Sequence, residues 1–506
     1  MDEEAVLTAF DPETREAFER RVAAQADRVR ADLLAGRLDA DCFAVGLELE
    51  AYAVDADGRL AEVPEAVFEE AGCAGELGLH NVEVNTRATR FDADGLAAQR
   101  EEARERVERV RSALAARERS LALDAMWTIP PAGGSEAYLN ATRSTGDLTV
   151  PANARPNARY YALDEEVRRR AGGAVDIDLP GASLTCENIL VESLTTSMQP
   201  HLQVPRAAAF PRYHDLAVRT MAPVLALATN SPFLPADLYA GADPDVVEAT
   251  GHELRIPVFE ESINAGRPPG EGNVRVPEDV DDVTEVVDRV VADPTYAPSV
   301  GDEVEHGTSD LYREDIPEFD AKRGVHWRWV RGVIGGQPVG TDDGGALRLE
   351  YRPIPTQPTV DDVVSVQALV VGLLRGLVAT DHPLGDLPWA DARDAFYDVV
   401  RRGPAADLAW VTADGERTGD PERIYDDVFA VARRGLAEAG VDEATADAYL
   451  DPVERRRASG PPSAWKKAQA RTALAEGASV PEAVERAQRA YLARAGGEPS
   501  ADWPRP

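Results

Sequence analysis

Apolar positions change period along the chain, and each change marks an element. From Asp11 to Leu34 they recur every three to four residues, which predicts an amphipathic helix. From Phe43 to Val54 they alternate, which predicts a strand closed by the turn Asp55-Ala56-Asp57-Gly58. A second strand is expected around Asn81 to Asn85, and Asp92 to Leu121, dense in Arg, Glu and Ala, predicts a long helix. The Pro, Gly and Asn content of Trp127 to Gly181 predicts loops with one short helix at Leu163 to Arg170. Thr195 to Val204 reads as a strand and Arg206 to Ala228 as a helix stopped by Asn230-Ser231-Pro232. Two more strands are expected at Trp327 to Ile334 and Ala346 to Pro353. Beyond Pro358 the pattern is almost wholly helical and ends in a polar, Pro-rich tail. Asn264 to Lys322, with scattered Pro and many acids, reads as an insertion (264–322) whose role the sequence leaves open. With no internal repeat and no Gly/Ser linker, the pattern predicts an α+β fold: antiparallel strands, then a helical C-terminal third. The division expected is a catalytic region over 1–403 and a helical region over 404–506 packed on it.

Charge changes this picture. The formal net charge is −36, and lysine is nearly absent, with only Lys322, Lys466 and Lys467. The combination resembles the proteome of a salt-in halophile, where molar salt shortens the Debye length to roughly 3 Å. An anionic chain without a basic stripe excludes nucleic acid and anionic membrane as partners. Cys42, Cys73 and Cys186 form an odd set with no CxxC, which points to a reducing compartment. The acidic N-terminus and the interruption of the longest apolar run, Val366 to Leu377, by Gln367 and Arg375 predict a soluble, cytoplasmic protein.

The candidate chemistry lies on the strands. Alternation puts Glu48 and Glu50 on one face while Val45, Leu47 and Leu49 pack the other. Two adjacent carboxylates stay ionised only if a cation lies between them, so the pair suggests a divalent metal. Glu350 repeats the logic, flanked on its own face by Arg348 and Arg352, an arrangement suited to a metal bound to phosphate. Glu76 and Glu83 have an odd spacing and reach one site only if the chain bulges or turns near Gly78. Ser197, Gln199, His201 and Gln203 form another polar face, the wall of a polar cavity, although Pro200 argues for an edge or bulged position. Taken singly, each feature has a commoner reading: a solvated sheet face, a structural histidine, a salt-bridge arginine. Order and spacing together lift the set above those readings.

In that order the chain resembles the glutamate–cysteine ligases of the second type and their carboxylate–amine ligase relatives, which share a glutamine-synthetase-like core. The resemblance rests on Gly46-Leu47-Glu48-Leu49-Glu50, Glu76 through Val82-Glu83-Val84-Asn85-Thr86, the His201 strand and Thr229-Asn230-Ser231-Pro232-Phe233. It continues with Arg255, His326-Trp327-Arg328-Trp329-Val330-Arg331, Leu349-Glu350-Tyr351-Arg352-Pro353, and Phe396-Tyr397-Asp398 before Arg401-Arg402-Gly403. It implies an antiparallel sheet forming a catalytic cavity, with Glu48, Glu50, Glu83 and Glu350 holding Mg²⁺ on the ATP phosphates and Glu76 and His201 completing the metal shell. Arg352 and Arg255 would meet the transferring phosphoryl group, and Asn85, Gln199, Gln203 and Arg331 would contact substrate. The implied reaction activates the γ-carboxylate of glutamate as an acyl phosphate and joins it to an amine, cysteine in the parent case. The chain departs from the family at Gln199, Pro200 and Gln203, where a glycine and a second histidine are usual. It also lacks the usual serine two residues before Arg255, and the 264–322 segment has no counterpart. These differences leave open a ligase for another amine, or a non-catalytic relative that binds nucleotide or an amino acid.

Overall fold

The computed structural model describes residues 3–146, 148–298, 311–336, 338–340 and 345–504. Its centre is an eight-stranded sheet of β1 (Ala44–Val54), β2 (Ala74–Gly75), β3 (Asn81–Asn85), β4 (Thr89–Arg90), β5 (Ser120–Ala122), β6 (Met198–Gln203), β7 (Val330–Ile334) and β8 (Leu347–Tyr351). The main path runs β7-β8-β6-β1-β3-β2, with β4 and β5 also paired to β1, and every ladder is antiparallel. Residues directly opposite one another across such ladders share a face, so register decides which side chains meet. Gly46 lies opposite His201, His201 opposite Glu350, and Glu350 opposite Arg331. Glu48 lies opposite both Gln199 and Asn85, and Glu50 opposite Glu83.

The other face carries Val45, Leu47, Leu49, Val82, Val84, Leu202 and Leu349, all buried. It packs beneath the helices α1 (Ala93–Ala115), α2 (Phe210–Ala228) and α3 (Val360–Ala379). Each such Leu or Val taken out of water contributes about 1.5–3 kcal/mol, and a one-residue slip would turn the whole set to the wrong face. Among the described residues α3 is the one helix long and apolar enough to cross a membrane, but 83% of that stretch is buried inside the protein. It is a core helix. A Cβ on Gly435 would lie 1.8 Å from the Gly372 carbonyl oxygen, and one on Gly376 2.0 Å from that of Val431, so α3 crosses α4 (Pro421–Glu438) at backbone contact.

The α+β expectation, with its antiparallel sheet and helical final third, is the architecture observed. Several elements differ from the sequence reading. The helix expected to reach Leu121 stops at Ala115, because Glu118 takes a left-handed turn with φ 57° and Ser120–Ala122 joins β1 as a strand. The stretch read as loops holds a longer helix, Ala158–Ala171, and two hairpins, Thr142–Thr145 with Leu148–Pro151 and Val175–Leu179 with Ala182–Cys186. Pro200 is neither at an edge nor in a bulge: β6 lies between β1 and β8. Its partner Leu47 directs its own N–H and C=O to Thr86, so the missing Pro200 donor faces β8, whose register with β6 begins only at His201.

Of the segment 264–322, residues 299–310 lie outside the described residues; the helices Glu285–Ala292 and Pro317–Gly324 pack on the helix Pro12–Leu34. The C-terminal helices are tied to the centre by buried charges. Lys466 Nζ donates to Asp124 Oδ1 (2.5 Å) and to the Asn230 carbonyl (2.8 Å), and Arg456 reaches Asp362 (2.8 Å) and Gln357 (2.6 Å). The last described residues turn back: the Ser500 N–H donates to Asp362 (3.1 Å), and Trp503 packs edge-on against Trp465 and Tyr491.

Candidate active site

The polar face of the sheet gathers two groups of acids. In the first, one ligand atom each from Glu48, His201 and Glu350 lie within 4.8 Å of one another, His201 Nε2 being 3.4 Å from Glu48 and 3.6 Å from Glu350. Nε2 is buried and has no hydrogen-bond partner, an arrangement that asks for a ligand. Glu350 Oε2 receives the Arg331 Nε–H and Arg352 Nη1 (3.0 Å), so neighbouring guanidinium groups hold its carboxyl well below the usual carboxylate range despite burial. Arg331 is itself fixed by the carbonyls of His326 (3.0 Å) and Arg323 (3.3 Å). Burial, then Arg348, push His201 down to about 3, so it is a neutral imidazole.

The second group forms around Glu50. The Ser197 N–H (2.7 Å) and Gln199 Nε2 (3.0 Å) donate to its carboxylate. Glu76 enters because the chain turns between β2 and β3, where the Gly78 N–H donates to Asn81 Oδ1 (2.9 Å) and the Asn81 N–H to the Gly78 carbonyl (3.1 Å), as its odd spacing from Glu83 requires. Glu83 shares a hydrogen bond with Glu76, whose other contact is the Tyr160 hydroxyl (3.1 Å). Burial and then Glu76 push Glu50 up to about 7 and Glu83 well above the carboxylate range; burial and then Glu350 push Glu48 up to about 7. A divalent cation would relieve both crowds, and hard carboxylate oxygens with one imidazole are a donor set that Mg²⁺ accepts. One adjustment is required at the first group. Arg348 Nε donates to His201 Nδ1 (2.9 Å), which leaves the imidazole proton on Nε2, so a cation at Nε2 needs that proton moved to Nδ1 and Arg348 turned away.

Arg352 Nη1 also donates to Gln199 Oε1 (2.6 Å), while its Nε is buried without a partner. Arg255 is buried over the Trp329 ring (5.2 Å) and donates to the Pro353 carbonyl (2.5 Å), so it holds the backbone just after Arg352. Asn85 is exposed and donates to Glu83. The Gln203 amide is committed to a loop: Nε2 donates to the carbonyls of Cys42 and Val339, both at 3.0 Å, and Oε1 accepts from the Val339 N–H (3.1 Å).

Sequence reasoning missed Glu192. It stands on a 3₁₀ turn, Ile189–Leu194, just before β6, and burial followed by Glu50 and Glu76 push it up to about 8. Its signal was an acid alone in the apolar run Ile189-Leu190-Val191-Glu192-Ser193-Leu194. Tyr160 and Thr356 were also unassigned, the latter donating to the Glu50 carbonyl (2.8 Å), and Ser197, placed on the polar face from sequence, contributes its backbone N–H. Beside the first group opens a cavity of about 520 Å³, lined by Glu48, His201 and Arg348 among others.

A family model described as glutamate–cysteine ligase family 2 matches residues 44–488. No protein of curated function matches the chain. Among solved structures it is similar to a bifunctional glutathione synthetase from Pasteurella multocida, with 14% identity and a TM-score of 0.49, over 93% of this chain and 55% of that one. The chain thus spans about half that protein's length. It is also similar to a glutamate–cysteine ligase from Francisella tularensis in complex with AMP, with 12% identity, a TM-score of 0.47 and 89% of each chain covered.

Proposed function

The chain belongs to glutamate–cysteine ligase family 2, and from that premise we propose that it is an ATP- and Mg²⁺-dependent carboxylate–amine ligase. It activates the γ-carboxylate of glutamate and joins it to an amine, with cysteine as acceptor and γ-glutamylcysteine as product. The observation that carries this reading is two groups of acids on one sheet face, with Arg331 and Arg352 both donating to Glu350 and Arg352 reaching toward the second group through Gln199. Glu48, His201 and Glu350 would hold one cation and Glu50, Glu76 and Glu83 another; bound there, Mg²⁺ would neutralise phosphate charge and orient the transferring group.

In the first step a γ-carboxylate oxygen of glutamate attacks the γ-phosphorus of ATP, and ADP leaves. In the second the amine nitrogen attacks the acyl carbon, phosphate leaves, and the amine gives up a proton. Arg352 is arranged for the first step: Gln199 and Glu350 fix one end of its guanidinium, and the partnerless Nε remains for a phosphoryl oxygen. Arg255 serves as a positioning residue through the Pro353 carbonyl. The acidic surface suits work in concentrated salt, and all three lysines are buried, so the chain presents no lysine to solvent. The test is ADP release in molar KCl with glutamate plus cysteine, alanine, 2-aminobutyrate or glycine. Turnover with another amine and none with cysteine would move the acceptor, and no turnover with any amine would favour a binding protein.

A further inference from the structure

We propose that a second cavity, along the helix that begins at Arg255, binds a small apolar primary amine whose ammonium group pairs with Glu260. The inference is independent of the ligase reading, because this cavity shares no described lining residue with either group of acids or with the 520 Å³ cavity beside the first. It measures about 350 Å³ and is built from the hairpin Val175–Cys186, the helix Arg255–Ile263 and the helix Trp389–Arg402. Leu179, Leu254, Ile256 and Val400 are among its walls, and a cavity so lined takes an apolar body.

Glu260 is the anomaly in that wall. A carboxylate held in apolar surroundings ordinarily has a cationic partner, yet among the described residues no arginine, lysine or histidine pairs with it. Trp329 Nε1 (2.7 Å) and the Tyr397 hydroxyl (2.8 Å) both donate to Oε1, and no described donor reaches Oε2. Glu260 lines the cavity and stays partly exposed, so a ligand can meet it there. Arg401, the one cation among the described lining residues, is spent elsewhere: its side chain keeps 66% of its surface exposed and reaches Asp398 (3.4 Å). The other charge acting on Glu260 is a second acid, Glu261. Burial, with Glu261 adding to it, pushes the Glu260 carboxyl up to about 7 against the two hydrogen bonds that favour its charge. An ammonium ion in the cavity supplies the opposite charge that the fold leaves out, and the apolar walls select what carries it.

The experiment titrates 2-phenylethylamine into the full chain by calorimetry in molar KCl at pH 8, where Glu260 is mostly ionised. Saturating glutamate, cysteine, Mg²⁺ and a non-hydrolysable ATP analogue are present to fill the ligase site. A Kd of about 1 mM or below is expected. 2-Phenylethanol and 3-phenylpropionate, which keep the apolar body and lose the ammonium, should bind about ten-fold more weakly or worse, and methylammonium, which keeps only the charge, roughly a hundred-fold more weakly. Glu260→Gln retains an acceptor for Trp329 and Tyr397 and should weaken the amine about ten-fold. Unchanged affinity in Glu260→Gln, or no preference for the amine over its alcohol in the wild-type chain, would overturn the inference, and the second result needs no variant. So would an amine that binds only when glutamate, cysteine and nucleotide are left out, which would place it in the ligase site. None of these outcomes bears on ADP release, so the ligase reading stands or falls separately.

Discussion

Adding Mg²⁺ to the metal-free protein should expel protons, and the number follows from the carboxyls that burial keeps protonated. Glu48 and Glu50 are each pushed up to about 7, and Glu83 well above the carboxylate range. At pH 6.5 the first two would each be about three-quarters protonated, so filling both groups should release about one and a half protons from Glu48 and Glu50, to which Glu83 adds. At pH 8.5 Glu48 and Glu50 are ionised already, and release should fall by about their share. Because these acids titrate together, their summed release is the observable. It is measured by calorimetric titration of Mg²⁺ into chelator-treated protein in molar KCl, repeated in buffers of different ionisation enthalpy. The same linkage sets the sign for stability. A carboxyl raised from 4.5 to about 7 makes the folded state the better proton binder, so without metal stability falls as pH rises through that window. Saturating Mg²⁺, which binds the ionised folded protein, should stabilise more at pH 8.5 than at 6.5. Release below about half a proton at pH 6.5, or release that does not decline by pH 8.5, would contradict metal binding to these buried carboxyls.

Three further outcomes are expected. Arg352→Lys should keep the fold but lower kcat about ten-fold or more, because lysine's single nitrogen cannot occupy both the Nη1 position beside Gln199 and Glu350 and the Nε position left for a phosphoryl oxygen; near-normal turnover would remove Arg352 from this role. Asp124→Ala strands the buried Lys466 ammonium and should cost about 3–5 kcal/mol in thermal unfolding, with a change under about 1 kcal/mol contradicting it. Gly435→Ala forces a methyl against the Gly372 carbonyl and should cost about 1–3 kcal/mol or more, read as a lowered Tm.

Parity was legible in the sequence wherever one strand alone decided it. Alternation put Glu48 with Glu50, and Arg348, Glu350 and Arg352 together, before any pairing was known. Which strands lie side by side is a matter of register over long separations, and only the ladders bring His201 opposite Glu350 and Glu50 opposite Glu83. The odd spacing of Glu76 and Glu83 demanded a turn, and the chain makes one. Glu192 escaped because a 3₁₀ turn has neither helical nor strand period, and Tyr160 because its helix contributes one hydroxyl from a distant segment. The hairpin Val175–Cys186 did alternate, but nearby glycines masked it. Pro200 misled because its tolerance depends on which neighbour its nitrogen faces, a property of the assembled sheet.

In the proposed reaction the γ-carboxylate of glutamate becomes an acyl phosphate on this sheet face. Glutamate labelled with ¹⁸O in the γ-carboxylate tests it most directly, with ATP, cysteine and Mg²⁺ in molar KCl and the phosphate analysed by mass spectrometry. One labelled oxygen is expected in each phosphate released, with one ADP per amide formed, and both products should be lost on chelation and recovered on added Mg²⁺. Unlabelled phosphate, or ADP release that survives chelation, would contradict it.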